Sequence, residues 1–127
     1  MREVRVARTS TLLGLAAMAL ASTAASPSPV AEAFGATIVS TYPDGRTVEL
    51  WLAADGSFTG QGRSHDPSSG SWTVKDGGLC LRQSRPIPTP FSFCTPIPSN
   101  GFSAEWDAKA PDGESIRIKL VHGHVAG

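Results

Sequence analysis

Apolar and polar residues alternate along most of the chain after residue 34, in short runs separated by turn residues. In the second of these runs Val48, Leu50 and Leu52 share one side, whereas Glu49 and Trp51 take the other. A period of two is typical of half-buried antiparallel strands. The pattern predicts eight strands, at about residues 36–42, 46–53, 57–63, 70–75, 79–83, 91–95, 101–107 and 114–121.

Four Asp-Gly pairs separate the runs, at Asp44-Gly45, Asp55-Gly56, Asp76-Gly77 and Asp112-Gly113. An Asp-Gly pair between two alternating runs is a strong signal for a tight hairpin turn. Short connections favour pairing of neighbouring strands, so we predict an all-β antiparallel meander. Closure, or near closure, into a small eight-stranded barrel would remove the exposed sheet edges. A curled sheet or a two-sheet sandwich is the alternative.

The first 33 residues have a different character. Three arginines within the first eight residues precede an apolar run from Leu12 to Ala21, and small residues follow. A charged region, a short apolar region and a small-residue region are the parts of a secretory signal. The uncharged stretch is too rich in Ser, Thr, Ala and Pro for a spanning helix. We predict a signal peptide over residues 1–33 and one domain over residues 34–127, in the periplasm or secreted.

Two positions fit the cleavage of this signal. One follows Ala25, with Thr23 as the second small residue, and the other follows Ala33, at the end of an A-x-A sequence. The strand pattern starts at Phe34, which favours the second position. No cysteine lies near either position to carry a lipid, so we expect no membrane anchor after cleavage.

The charge of the mature chain is nearly balanced. Loss of the first 33 residues removes three of the eleven basic side chains and two of the eleven acidic ones. The mature chain keeps eight basic and nine acidic side chains. A nucleic-acid partner requires a basic surface, so we expect none.

The two cysteines of the chain are predicted to form a disulfide. A domain of this size is marginally stable without a covalent staple, and export would place Cys80 and Cys94 in an oxidising compartment. If Cys80 lies opposite Cys94 on the fifth and sixth strands, the two cysteines lie on one face of the sheet. The other face then carries Leu79, Leu81, Phe91 and Phe93. The same register sets two further pairs: Leu81 with Phe93, and Gln83 with Phe91.

Candidate catalytic and metal-binding groups are few. His65-Asp66 with Ser64 or Ser68 has the residue types of a triad, but no G-x-S-x-G elbow accompanies them. His122-Gly123-His124 could hold a metal ion weakly, yet it lies near the carboxyl end, where chains fray. We therefore expect no catalytic residue, no cofactor and no specific metal site.

Three regions are candidates for an interaction surface. Trp51 falls on the side of its strand that should be wet, and an exposed Trp is typical of binding surfaces. Residues 64–71 and the proline-rich segment 84–90 are predicted to be the two long polar loops. The alternative is that Trp51 covers the outer face and that the proline-rich segment is a stiff hairpin loop. The candidate residues are Trp51, His65, Asp66, Arg85, Pro86 and Pro88.

The rhythm of the central residues resembles a known class of exported domains. Gly70-Ser71-Trp72 leads through a glycine turn to Leu79-Cys80-Leu81, and Phe93-Cys94-Thr95 and Trp106 follow. This arrangement is similar to small exported proteobacterial domains of unknown function. More distantly it looks like the lipocalin-like inhibitors of secreted bacterial metalloproteases, which implies a small eight-stranded barrel with one disulfide. In those inhibitors the mature amino terminus enters the protease cleft, a position that Phe34-Gly35 would take if cleavage followed Ala33.

Three functional hypotheses remain after the sequence is read. The first is a non-catalytic, monomeric module that binds or inhibits a protein partner. The second is a carrier of a small apolar ligand, but bulky inward side chains such as Leu50, Trp72, Phe93 and Trp106 would fill a barrel of this size. The third is a hydrolase, which the residue inventory supports least. The binding module is the favoured hypothesis.

Overall fold

The computed structural model describes residues 29–102 and 105–126, so the predicted signal lies outside the described residues as far as residue 28. The described part contains a short 3₁₀ helix, Ala31–Ala33, and eight strands. The strands are β1 (Ala36–Thr41), β2 (Thr47–Leu52), β3 (Ser57–Gln61), β4 (Pro67–Lys75), β5 (Gly78–Arg85), β6 (Phe93–Pro96), β7 (Trp106–Lys109) and β8 (Ser115–His122).

The strands form one antiparallel sheet in the order β6-β5-β4-β3-β2-β1-β8-β7. Neighbours in the chain pair with each other, and β1 also pairs with β8, from Ala36 opposite His122 to Thr41 opposite Arg117. The sheet curls until its edge strands β6 and β7 approach each other without a hydrogen-bonded ladder. The predicted all-β meander in a nearly closed barrel is confirmed.

The predicted loop at residues 64–71 is shorter than expected. The turn closes when Gly62 N donates to Asp66 O at 2.8 Å and His65 N donates to Gly62 O at 2.9 Å. His65 supplies the left-handed residue of this turn, with φ of 66°. Strand β4 consequently begins at Pro67, directly opposite Gln61, rather than at residue 70.

The disulfide prediction is confirmed, since Cys80 lies opposite Cys94 and the two are bonded. Leu81 faces Phe93 in the same ladder, as predicted. The further pair of Gln83 with Phe91 was wrong. The ladder ends at Phe93, and the backbone of Gln83 instead bonds to Thr89.

Inward side chains of the strands pack into a core inside the barrel. Buried core residues include Ile38, Leu52, Phe58, Leu79, Ile116 and Ile118, with Trp72 and Trp106 packed against them. Gly70 is required where β4 lies directly opposite Phe58 of β3. A side chain at residue 70 would meet the Phe58 ring at 2.8 Å and overlap the carbonyl oxygen of Arg82.

One end of the barrel, here called the lower end, is closed by chain segments outside the sheet. Val30, Ala33 and Phe102 are buried there, and the Phe34 ring lies 5.7 Å from the ring of Trp72. The opposite, upper end carries the β1–β2, β3–β4, β5–β6 and β7–β8 connections. Within residues 29–102 and 105–126 no helix has the length and apolar character needed to cross a membrane.

Candidate functional site

The β5–β6 connection at the upper end, here called the rim loop, spans residues 86–92. It contains three prolines, and each lacks a backbone donor, so side-chain and loop contacts replace a strand ladder. Gln83 supplies most of them. Its Nε2 donates to Ile87 O at 2.9 Å, its backbone N donates to Thr89 Oγ1 at 3.2 Å, and Thr89 N donates to its carbonyl at 3.0 Å. The loop is therefore tied to β5 at Ile87 and Thr89.

The rim loop presents apolar side chains to solvent. Ile87 is 71% exposed and Phe91 is 72% exposed. In the described part of the chain, the other large exposed hydrophobic residue is Val125, which lies beyond the end of β8 at the lower end. Apolar surface exposed in this way is the kind of surface that association buries.

Beneath the rim loop the barrel opens into an apolar pocket of about 290 Å³, here called the mouth pocket. Its walls are the rings of Phe58, Phe91 and Phe93, with Leu81 and Pro111. Gln83 and Thr89 add polar groups at its edge. Ligand pockets usually span about 300–1,000 Å³, so this one is near the lower limit. It fits a side chain or a small apolar molecule better than a long lipid.

A charged cluster ties together the other three turns of the upper end. The Arg63 guanidinium lies 4.0 Å from the ring centre of Tyr42 and 2.9 Å from Glu114. It also approaches Asp112 at 3.4 Å and Asp44 at 3.5 Å. Arg63 of the β3–β4 turn thus contacts side chains of the β1–β2 and β7–β8 turns. These contacts hold the three turns together at the upper end.

The ionisable groups of this cluster have shifted pKa values. Burial raises the pKa of the Tyr42 phenol, and the Asp112 carboxylate raises it further. The backbone N–H of Glu114 donates to Asp112 at 2.9 Å and lowers the pKa of Asp112. The hydrogen bond with Asp112 raises the pKa of Glu114. When the pH falls, Glu114 therefore takes up a proton before Asp112 does.

His65 and Asp66 lie in the tight β3–β4 turn at this end and are exposed. The His65 imidazole Nδ1 is 2.9 Å from Gln61 Nε2. In the described residues no hydrogen bond joins His65 to Asp66 or Ser64, which a triad would need. His65 and Asp66 therefore lie at the upper end of the barrel as turn residues.

Arg85, Pro86 and Pro88 are exposed where β5 passes into the rim loop. The Arg85–Pro86 peptide bond is cis. Arg85 and Pro86 border a shallow groove of about 330 Å³ with Pro67 of β4. The structure therefore places these residues close to the β3–β4 turn, on the same end of the barrel as the mouth pocket.

Trp51 lies elsewhere, on the outer face of the barrel towards the lower end. The indole Nε1 donates to Thr37 Oγ1 at 2.8 Å, and the ring stacks on His124. The Thr37 hydroxyl also donates to Gly123 O at 2.7 Å and accepts from Val125 N at 2.8 Å. Trp51 is consequently half-buried under the chain that follows β8.

The histidines near the carboxyl end take part in this packing. His124 stacks on Trp51, whereas His122 ends β8 opposite Ala36. In residues 29–102 and 105–126 no group of three or more His, Cys, Asp and Glu side chains is arranged to hold a metal ion.

The sequence pattern did not indicate Ile87 and Phe91 as site residues. Alternation placed Phe91 on the inward face of a strand, but Pro90 precedes it and has no N–H for the ladder. A signal was available in the spacing of the prolines at 86, 88 and 90, which leaves apolar residues between and after them without strand partners.

The chain has no match among known proteins: no protein-family model, no curated protein and no solved structure matches it.

Proposed function

We propose that this protein is an exported, non-catalytic binding module that captures an apolar side chain of a protein partner at the mouth of its barrel. The observation that carries the proposal is the exposure of Ile87 and Phe91 on a loop that Gln83 holds in place, directly above the mouth pocket. A loop fixed before binding loses little conformational entropy when a partner docks.

Two exposed arginines indicate the character of the partner. Arg82 and Arg85 lie on β5 just before the rim loop, and none of the salt bridges of the described residues involves them. An acidic group on the partner would pair with one of them at the edge of the interface. The site therefore suits a segment with an aromatic or branched apolar residue close to Asp or Glu.

The proposed location is the periplasm or the extracellular space. It is supported by the charged and apolar pattern of the first 33 residues and by the disulfide between Cys80 and Cys94. The resemblance to inhibitors of secreted proteases is consistent with the same location. It identifies none of the residues of the proposed binding surface.

A screen of displayed random peptides against the immobilised protein tests the proposal. We expect enrichment of peptides in which an apolar residue lies near an acidic one. The affinity of a selected peptide should fall at least about tenfold in the double variant Ile87→Ser/Phe91→Ser, because about 1.4 kcal/mol corresponds to one decade. It should fall less with Arg85→Gln, and that effect should shrink at high salt.

Val125→Ser is the matched control, since it removes an exposed apolar side chain at the other end of the barrel. It should leave peptide affinity unchanged. Equal binding to the parent protein and the double variant would contradict the proposal. Native mass spectrometry that finds a small apolar molecule bound to the parent, and lost from Leu81→Trp, would support the carrier instead, because Leu81 lines the pocket.

A further inference from the structure

The segment before β1 is part of the folded barrel. Val30 is 0% exposed and Ala33 is 1% exposed, and both belong to the core cluster together with Phe102. These residues precede position 34, where the strand pattern of the sequence begins. The domain boundary therefore lies upstream of Phe34.

Hydrogen bonds fix this segment against the rest of the chain. The Glu32 carboxylate accepts from Phe102 N at 2.6 Å, which joins the segment to the β6–β7 connection 70 residues away in sequence. Within the segment Ala33 N donates to Val30 O at 2.9 Å and Phe34 N donates to Ala31 O at 3.1 Å. The 3₁₀ turn thus presents Val30 and Ala33 to the core.

Removal of these residues would open the lower end. A chain that began at Phe34 would expose Phe102 to water and leave its backbone N–H without the Glu32 carboxylate. It would also place a charged α-amino group on Phe34, whose ring packs against Trp72. Charge placed beside apolar packing is costly unless it is paired.

We infer that the signal is cleaved after Ala25, so that Val30 and Ala33 stay with the mature protein and close the lower barrel end. The inference rests on the export signal of the proposed function. Ala25 and Ser26 lie outside the described residues. In the reaction, water hydrolyses the Ala25–Ser26 peptide bond, so the carboxylate leaves with the signal and the new α-amino group belongs to Ser26. Phe34-Gly35 is then internal and is not offered as a terminus to a protease cleft.

Intact mass measurement of the exported protein tests the position. The full chain is produced in a bacterium with a periplasm and is recovered from the extracytoplasmic fraction. We expect the mass of residues 26–127. A mass of residues 34–127 would overturn this inference and leave the proposed binding surface unaffected. Recovery of the uncleaved chain would overturn the export signal itself.

Two single variants of the full chain sharpen the test. Ala31→Lys changes an exposed residue and destroys the small-residue box before the second position. It should leave the cleavage position unchanged, whereas failure of cleavage would overturn the inference. Val30→Ala should lower the Tm of the exported protein by about 5 °C or more, because it removes buried methyl groups. An unchanged Tm would contradict the packing of Val30 in the core of the mature protein.

Discussion

The imidazole of His124 stacks on the indole of Trp51, with the ring centroids 4.0 Å apart and the planes 12° from parallel. Beneath the stack the Thr37 hydroxyl bonds to Trp51, Gly123 and Val125, and Thr37 is 0% exposed. The hydroxyl donates once and accepts twice, which uses its full capacity. A single buried oxygen thus fastens the carboxyl-terminal residues to β1 and β2.

Thr37→Val should release this tail. The isosteric change leaves three polar groups without their partner, so we expect the free energy of unfolding to fall by about 1–3 kcal/mol. Trp51 fluorescence should shift to longer wavelength and the Val125 amide should exchange faster. Thr73→Val, at an exposed position of β4, is the control and should change little. Unchanged amide exchange at Val125 in the Thr37 variant would contradict the arrangement.

Gly70→Ala should destabilise the barrel strongly. The added methyl group would collide with the Arg82 carbonyl and the Phe58 ring, and overpacking of a core costs about 1–3 kcal/mol or more. Gly62→Ala is the control, because its nearest neighbour would be the Asp66 carbonyl oxygen at 3.6 Å. Chemical denaturation of both variants measures the difference. Equal midpoints would contradict the close approach of Gly70 to Phe58 and Arg82.

Replacement of Arg63 should loosen three turns of the upper end at once. Arg63→Met removes the charge from above the Tyr42 ring, and we expect a decrease in Tm of about 5 °C at low salt. The decrease should shrink at high salt, because the carboxylates left behind repel each other less. Arg63→Lys should recover only part of the loss, since lysine lacks the planar fork. A full recovery with lysine would show that charge alone matters.

Acid stability should depend on Asp55. The Ser57 hydroxyl donates to Asp55 Oδ1 at 2.6 Å, and this hydrogen bond lowers the pKa of Asp55 below its ordinary value of 3.8. The folded state then binds fewer protons than the unfolded state, so stability is present above pH 3.8 and is lost as the pH falls below it.

Asp55→Asn keeps the acceptor oxygen and removes the titration. A plot of Tm against pH should therefore be flatter below pH 3.8 in this variant than in the parent. Ser57→Ala should give an intermediate slope, because the backbone hydrogen bond of Ser57 N to Asp55 Oδ1 remains. Identical acid slopes in parent and Asp55→Asn would exclude this contribution.

Much of the fold could be predicted from local patterns. Alternation and Asp-Gly turns gave most of the strands because period and turn chemistry act over a few residues, and Cys80 opposite Cys94 set the register of β5 and β6. The seventh strand was predicted too early, at 101–107, whereas β7 runs over Trp106–Lys109. The position of Val30 could not be read in this way. Its burial depends on Phe102 and on the gap at the lower barrel end, which only the folded chain creates.

The site was less accessible to sequence reasoning. Arg85, Pro86 and Pro88 were predicted at the loop that carries the proposed surface, yet the exposed apolar residues beside them were missed because the prolines end the ladder two residues early. Alternation put Trp51 and Glu49 on a side expected to be wet, but Glu49 is 2% exposed and Trp51 lies under His124. Alternation assigns the two faces of a sheet, but it does not show that residues after β8 cover the outer face at Trp51.

The pairing of β1 with β8 also determines when the molecule can fold. The first strand needs the last one as its partner, and Ile116 and Ile118 of β8 supply part of the core. In a chain that emerges with its amino end first, β1 can pair with β2 at once. It cannot pair with β8 until residue 122 has emerged. Contacts between distant positions make closure a late step. Such a chain can pair neighbouring strands as they appear, but it becomes a closed barrel only when its last strand arrives.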